Sequence, residues 1–311
     1  MKFTMSIPVG DITPGEFQTA AAVSEMARAL EAANIDACYV TDHPAPCAEW
    51  LHANGHDALD PFTAFAFVAA ATTRLMMHTN IIVLPYRNPF ITAKAAATLQ
   101  VLSGNRLILG VGGGYQKVEF EALGVDFHKR GALLDEGLEV LRLAWAGGPV
   151  VKQGSNFNAA GNEPRPVPEK APPIWIGGGS DKAVERAARV GDGWCPFFAA
   201  ASMTSLNRHA GVQSVAHLRE KVAKLTELRA AQGRTGPFDI AIGAQTGLQY
   251  GSRDSAERYL DALGELAEAG VTWTSVSPPH PTRQAYIENV QWFAEEIGAK
   301  ICSSTPQTEL L

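Results

Sequence analysis

Four short stretches of this chain combine residue types that could do chemistry. Thr41-Asp42-His43-Pro44 sets an imidazole beside a carboxylate, a pair able to position or exchange a proton near neutral pH. A structural role suffices as well, with Asp42 capping a turn and His43 a solvated loop residue. Thr79-Asn80-Ile81-Ile82 places an asparagine inside an apolar run, and a buried amide must find partners. A flat heterocycle with ring nitrogens and carbonyls would supply them, and so would neighbouring backbone. Gly110-Val111-Gly112-Gly113-Gly114-Tyr115 lacks side chains over most of its length, so backbone can approach a ligand or simply make room at a corner. Ile176-Gly177-Gly178-Gly179-Ser180 runs through a glycine turn into a helix beginning near Asp181. Free amides and the helix dipole make such a turn an anion cradle. Ser180 adds a hydroxyl donor there or serves as the N-cap, while Asp181 in the first turn counts against an anion.

These stretches need elements that bring them to one place. The chain alternates short apolar runs with amphipathic segments, the pattern of βα units in a parallel sheet. Strands are expected at Phe3–Val9, Ala37–Thr41, Leu75–Val83, Arg106–Val111, Pro173–Ile176, Gly193–Phe197, Phe238–Ala244 and Thr272–Val276. Helices are expected over Glu16–Ala33, entered through Thr13-Pro14, then from Asp60-Pro61 to Thr72 and over Pro89–Leu102. Further helices are expected over Val118–Leu123, Leu133–Ala146, Lys182–Val190, Val215–Gln232, Ser255–Ala269 and Thr282–Ile297. Asp42 to Asp60 reads as a long loop, and Val150 to Pro173, with five prolines, as an excursion holding a small hairpin. Eight strands, each followed by helix, pack most simply into a closed (β/α)8 barrel, one domain over residues 1–311. All four stretches then fall at strand C-termini, where barrel active sites lie. A doubly wound open sheet is the rival, but no G-x-G-x-x-G follows the first strand.

Composition limits the partners. A chain of 311 residues, 46% hydrophobic and 19% charged, can bury a full core. Its net charge of −6 argues against nucleic acid or an anionic membrane as partner. No apolar run approaches the ~20 residues of a membrane span, and Met1–Gly10 carries no long apolar region for secretion. Cys38, Cys47, Cys195 and Cys302 lack metal-like spacing and read as reduced thiols of a cytoplasmic protein. There is no G-x-S-x-G elbow and no H-E-x-x-H. Asn54-Gly55 breaks any helix that would align His52 and His56, so no metal is expected. The run His128-Lys129-Arg130 reads as solvated surface. Small molecules remain as the expected ligands.

The succession of Thr41-Asp42-His43, LPYRNP, SGNRLILGVGGGYQKVEFEALG and PPIWIGGGSDKAVERAARVGDGW resembles the luciferase-like monooxygenase superfamily, in particular its branch dependent on the deazaflavin F420. The resemblance runs from Phe3 to Pro196 and more loosely beyond. It implies a (β/α)8 TIM barrel of the bacterial-luciferase type with an insertion between strands 4 and 5. It implies a non-prolyl cis peptide at Asn80-Ile81, set at a strand bulge against the central ring, with Gly112 and Gly113 near the cofactor. Gly177, Gly178, Gly179 and Ser180 would bind its phosphate through backbone amides. Asp42 and His43 would sit by the ring, His43 orienting substrate or relaying a proton. Trp50 would wall the substrate pocket or pack its own loop down.

Two departures from the family shape the expectation. Some deazaflavin relatives carry a glutamate acid where this chain has Tyr115, which speaks against a sugar-phosphate dehydrogenase. Tyr115 is left to donate a weaker proton or to stack. Some flavin mononucleotide (FMN) relatives place an arginine for the phosphate where Gly113 stands. F420-dependent hydride transfer involving a small organic substrate is therefore the leading expectation. A two-component monooxygenase using reduced FMN and a non-catalytic flavin-binding protein are the alternatives. The polyglutamate tail of F420 calls for a basic groove, drawn from Lys117, Lys129 or Arg130. The resemblance also implies a homodimer, and substrate identity is left to the loops after strands two, four and seven.

Overall fold

A computed structural model describes residues 1–9, 15–53, 55–199 and 211–304. Its strands are β1 (Lys2–Ser6), β2 (Ala37–Val40), β3 (Met76–Val83), β4 (Leu107–Gly112), β5 (Val150–Gln153), β6 (Asn158–Asn162), β7 (Ile174–Gly177), β8 (Gly193–Cys195), β9 (Asp239–Ile240) and β10 (Trp273–Val276). Eight of them make one parallel sheet in the order β10-β1-β2-β3-β4-β7-β8-β9, while β5 and β6 form the separate antiparallel hairpin expected of the proline-rich excursion. The outer strands of that order meet. Ala241 bridges Trp273, the Thr272 amide donates to the Ile240 carbonyl at 3.0 Å, and the Ile242 amide donates to the Trp273 carbonyl at 3.2 Å. The sheet thus closes into a (β/α)8 barrel without a free edge.

The described α-helices are α1 (Ala20–Ala32), α2 (Ala48–His52), α3 (Pro61–Ala71), α4 (Pro89–Leu102), α5 (Lys117–Ala122), α6 (Arg130–Ala146), α7 (Asp181–Val190), α8 (Val215–Ala231), α9 (Arg253–Glu268), α10 (Arg283–Phe293) and α11 (Ala299–Ser304). Asp60 and Asn88 cap α3 and α4 through the Thr63 and Phe90 amides, with Pro61 and Pro89 in the first turn. Helix α1 begins later than expected because Thr19 Oγ1 accepts the Ala22 amide at 3.1 Å and sets the start there. The expected entry through Thr13-Pro14 lies outside the described residues. Helix α2 occupies ground expected to be loop, since five residues are too few for a helical period to declare itself. Strand β1 stops at Ser6, where the Val9 amide turns back onto the Ile7 carbonyl at 2.8 Å. Strand β9 keeps only two residues of its expected seven-residue run (Phe238–Ala244), the rest crossing towards β10.

Below the mouth the barrel is filled by rings. His78 packs on Trp175 at 4.7 Å and Trp175 on Trp273 at 5.3 Å, both edge-on. Two glycines make room for them. A Cβ on Gly193 would lie 2.3 Å from Trp175 Cδ1, and one on Gly110 2.9 Å from His78 Nε2. Ile81 packs against the same cluster from above.

Candidate active site

The C-terminal ends of seven barrel strands, all but β1, open into one cavity of about 790 Å³. Asp42, His43, Asn80, Ile81, Gly112, Gly113, Tyr115, Gly177, Gly178 and Ser180 line it. Trp50 and Gly179 do not.

A bulge forms the part of the wall that β3 supplies. Thr79 opposes Leu109 and Ile82 opposes Val111, so Asn80 and Ile81 together face Gly110. The Asn80–Ile81 peptide bond is cis, as the resemblance implies. The half-buried Asn80 amide faces the cavity and makes no side-chain hydrogen bond to the described residues. Ile81 lies over the glycines of neighbouring strands: a Cβ on Gly112 would meet its Cδ1 at 2.4 Å, and one on Gly177 its Cγ2 at 3.1 Å. Gly113 differs, because a Cβ there would meet only Leu134 Cδ2, at 3.9 Å. Packing within the chain accounts for Gly112 and leaves Gly113 unexplained.

Asp42 reaches the wall with its carboxylate already engaged. Oδ2 accepts the Val83 amide at 3.1 Å and Arg87 Nε at 3.3 Å, and Oδ1 accepts Arg87 Nη2 at 2.7 Å. The residue ties the loop after β2 to the end of β3, a firmer role than the ring contact expected of it. His43 beside it is buried, with Nδ1 3.3 Å from Glu119 Oε2 and 3.2 Å from Gln116 Nε2. Glu119 is fully buried and accepts the Ala45 amide at 3.0 Å and the Tyr86 hydroxyl at 2.8 Å. Burial pushes its carboxyl up, but the hydrogen bonds from His43, Ala45 and Tyr86 outweigh this and hold it below the usual range. Sequence reasoning missed Glu119. The available signal was an acidic residue between Val118 and Phe120, one helical turn after the glycine cluster.

Trp50 lies behind His43, the rings 4.7 Å apart, and His56 stands 4.9 Å from the same imidazole. Gly55 keeps Trp50 in place, since a Cβ there would lie 2.4 Å from the Trp50 carbonyl oxygen. Tyr115 is 6.1 Å from His43. Burial and the Glu119 charge push its phenol above the ordinary range, against a hydrogen bond from Gln116 that lowers it.

The strand-to-helix turn after β7 makes the other end. Ser180 is the N-cap, its Oγ accepting the Ala183 amide at 3.3 Å. Gly178 has φ +98° and holds the turn together, donating its amide to the Cys195 carbonyl at 3.3 Å and accepting Trp194 Nε1 at 2.7 Å. The Ala183 and Val184 amides already donate to the Ser180 carbonyl, so the amides left for an anion at the start of α7 are those of Asp181 and Lys182, which have no intrahelical partner. Asp181 does not oppose an anion there as its position suggested. Lys221 Nζ at 2.9 Å and Lys224 Nζ at 3.6 Å pair with its carboxylate, and these contacts, Lys221 foremost, hold it below the usual range.

Lys182, Arg186, His128 and Arg130 also line the cavity. Arg186 is fixed by Asp135 through two contacts of 2.9 Å. The run His128-Lys129-Arg130, expected to face solvent, gives two members to the wall. A 3-10 turn over Phe127–Lys129, capped by Asp126, folds it back, and Arg130 settles 3.9 Å from the Phe127 ring centre. Lys117 pairs instead with Glu121 on the surface, and Lys129 does not line the cavity.

The chain is 31% identical over 256 residues to an uncharacterized protein of Mycobacterium tuberculosis, covering 80% of each. Over 177 residues it is 33% identical to the F420-dependent glucose-6-phosphate dehydrogenase of the same organism, covering 55% of this chain and 51% of that one. The crystal structure of a monooxygenase from Streptomyces bottropensis matches with a TM-score of 0.75 at 20% identity, over 97% of this chain and 100% of that one. Residues 1–301 match the luciferase-like monooxygenase family, and the chain belongs to it.

Proposed function

We propose that this protein is an F420-dependent oxidoreductase that moves a hydride between the deazaflavin and a small neutral organic substrate. The observation that carries the reading is that His43 and the α7 amides share one cavity, with the Asn80–Ile81 bulge between them in strand order. A cavity of about 790 Å³ suits a tricyclic ring with its ribityl chain. The residues fit the group: Gly113 leaves open space, the Asn80 amide lacks a partner among the described residues, and amides and cations gather at the phosphate end.

Reduced F420, when bound, supplies the hydride. The Asp181 and Lys182 amides at the start of α7, with the Lys182 side chain, would hold the phosphate. Asn80 would offer both donor and acceptor to the ring, with Ile81 supporting it from the same bulge. His43 serves the proton that must accompany the hydride. For hydride to reach substrate carbon, the ring would first take a proton from water at Nε2 and, as imidazolium, give it to the adjoining heteroatom, returning to the neutral form; in the reverse direction the neutral ring would take that proton away. The rings of Tyr115 and His56 limit water around it. The buried Glu119 charge behind His43 disfavours an anionic group on the substrate, which separates this site from one built for a sugar phosphate.

A second reading, an FMN-dependent monooxygenase, draws support from the likeness to the Streptomyces enzyme and from Arg130 and Arg186 on the cavity wall. Calorimetric titration of the purified protein with each cofactor distinguishes them. F420 should bind with a Kd of about 1 μM or below and FMN about tenfold or more weakly. The opposite preference would favour the monooxygenase, and binding of neither would remove the anion cradle. The His43→Asn variant should lose about 100-fold or more in hydride-transfer rate with F420 affinity unchanged.

A further inference from the structure

We infer that Glu119 is a positioning residue that locks the neutral His43 ring in its Nδ1–H form and reserves Nε2 for the cavity. Two neighbours make opposite demands on Nδ1. Glu119 Oε2 at 3.3 Å is an acceptor when ionised and needs an N–H, whereas Gln116 Nε2 at 3.2 Å is a donor and needs a lone pair. One ring state cannot serve both.

Burial decides between them. Glu119 has 0% of its surface exposed, so no solvent replaces a lost donor. Its two oxygens depend on His43, the Ala45 amide and the Tyr86 hydroxyl. A buried carboxylate deprived of a charge-assisted donor costs more than an amide that can turn and present its oxygen instead. Gln116 can make that turn, because swapping its amide oxygen and nitrogen leaves its shape unchanged. Nδ1 therefore carries the proton, and Nε2 has no hydrogen-bond partner among the described residues. Trp50 and His56, their own rings 5.2 Å apart, pack together against the imidazole and restrain it, so with Nδ1 held at Glu119 the Nε2 edge is left to the cavity that His43 lines. That this nitrogen exchanges the substrate proton rests on the proposed function; the lock itself does not.

The test is ¹⁵N NMR of the ligand-free protein labelled at histidine, with His43 assigned from the His43→Asn spectrum and pH raised until the ring is neutral. The wild type should show a protonated Nδ1 and a bare Nε2. Glu119→Gln should move the proton to Nε2, while Tyr86→Phe, which leaves the carboxylate in place, should not. A wild-type ring protonated at Nε2, or a Glu119→Gln ring unchanged from the parent, would overturn the lock. Should Glu119→Gln not fold, the wild-type and Tyr86→Phe spectra still decide it. In turnover, Glu119→Gln should lower kcat by about 10- to 100-fold with F420 affinity unchanged. Because the spectra need no cofactor, a wrong cofactor assignment leaves them standing, and a wrong tautomer leaves the cofactor titrations standing.

Discussion

A methyl group added at Gly112 and one added at Gly113 meet different things, although the two glycines are adjacent. At Gly112 it meets Ile81 Cδ1 at 2.4 Å, so Ile81 must leave its place over β4 or the strand must shift. Gly112→Ala should therefore cost about 1–3 kcal/mol of stability in urea unfolding and weaken F420 binding with it. At Gly113 the nearest atom is 3.9 Å away and φ does not require glycine. Gly113→Ala should unfold within about 0.5 kcal/mol of the parent yet bind F420 about tenfold more weakly. Parent-like binding by Gly113→Ala would mean that no cofactor atom approaches that strand end. The glycine run was legible in the sequence as a place of close approach. Which glycine is filled by the chain and which is left open was not, because the answer lies in a side chain crossing from β3. Glu119 was hidden for the same reason. Its partner His43 is 76 residues away, and neither local pattern nor spacing joins them.

Among the elements, those with a local cause were the ones that could be read. Asp60-Pro61 and Asn88-Pro89 announce their helices by cap and first-turn proline, and the Ser180 cap opens α7. Elements set by distant partners, such as the two-residue β9, could not be read. The N-terminus of α7 shows how far such partners matter. Asp181 in the first turn would oppose a bound phosphate, but Lys221, reaching from α8 across 40 residues of sequence, pairs with it. Lys221→Met removes that cation while keeping most of the buried side-chain volume. The uncovered carboxylate should then weaken F420 binding by roughly 2- to 5-fold, the size of a single charge at a helix end. Lys221→Met with Asp181→Asn should restore the parent affinity. Calorimetry at low salt reads both, and a double variant no better than the single would place the effect of Lys221 elsewhere.

For the whole molecule, the barrel followed from eight alternating units, because a parallel sheet buried on both faces leaves a strong apolar signature. What fills its interior did not follow, since a histidine in a strand looks the same facing solvent or axis. His78 faces the axis against Trp175, fully buried, and both ring nitrogens lack hydrogen-bond partners among the described residues. Desolvation in this fully buried position disfavours the imidazolium and lowers its pKa from an ordinary 6.5 to about 3. The unfolded chain therefore takes up a proton below pH 6.5 that the folded barrel refuses. The stability tied to this residue is fully present above pH 6.5 and is lost as pH falls from there towards 3. Between pH 7 and pH 5 the loss amounts to about 2 kcal/mol for this one ring. His78→Leu removes the titrating group and two unpaired polar atoms at the cost of some ring volume. At pH 7 it should unfold within about 1 kcal/mol of the parent. At pH 5 it should be the more stable of the two, having escaped the loss. Urea unfolding of both proteins at the two pH values gives the comparison as a difference of differences, so the other titrating groups cancel. An equal loss in parent and variant would mean that the native barrel protonates His78 as readily as the unfolded chain does, and the burial of its imidazole beneath the site would have to be given up.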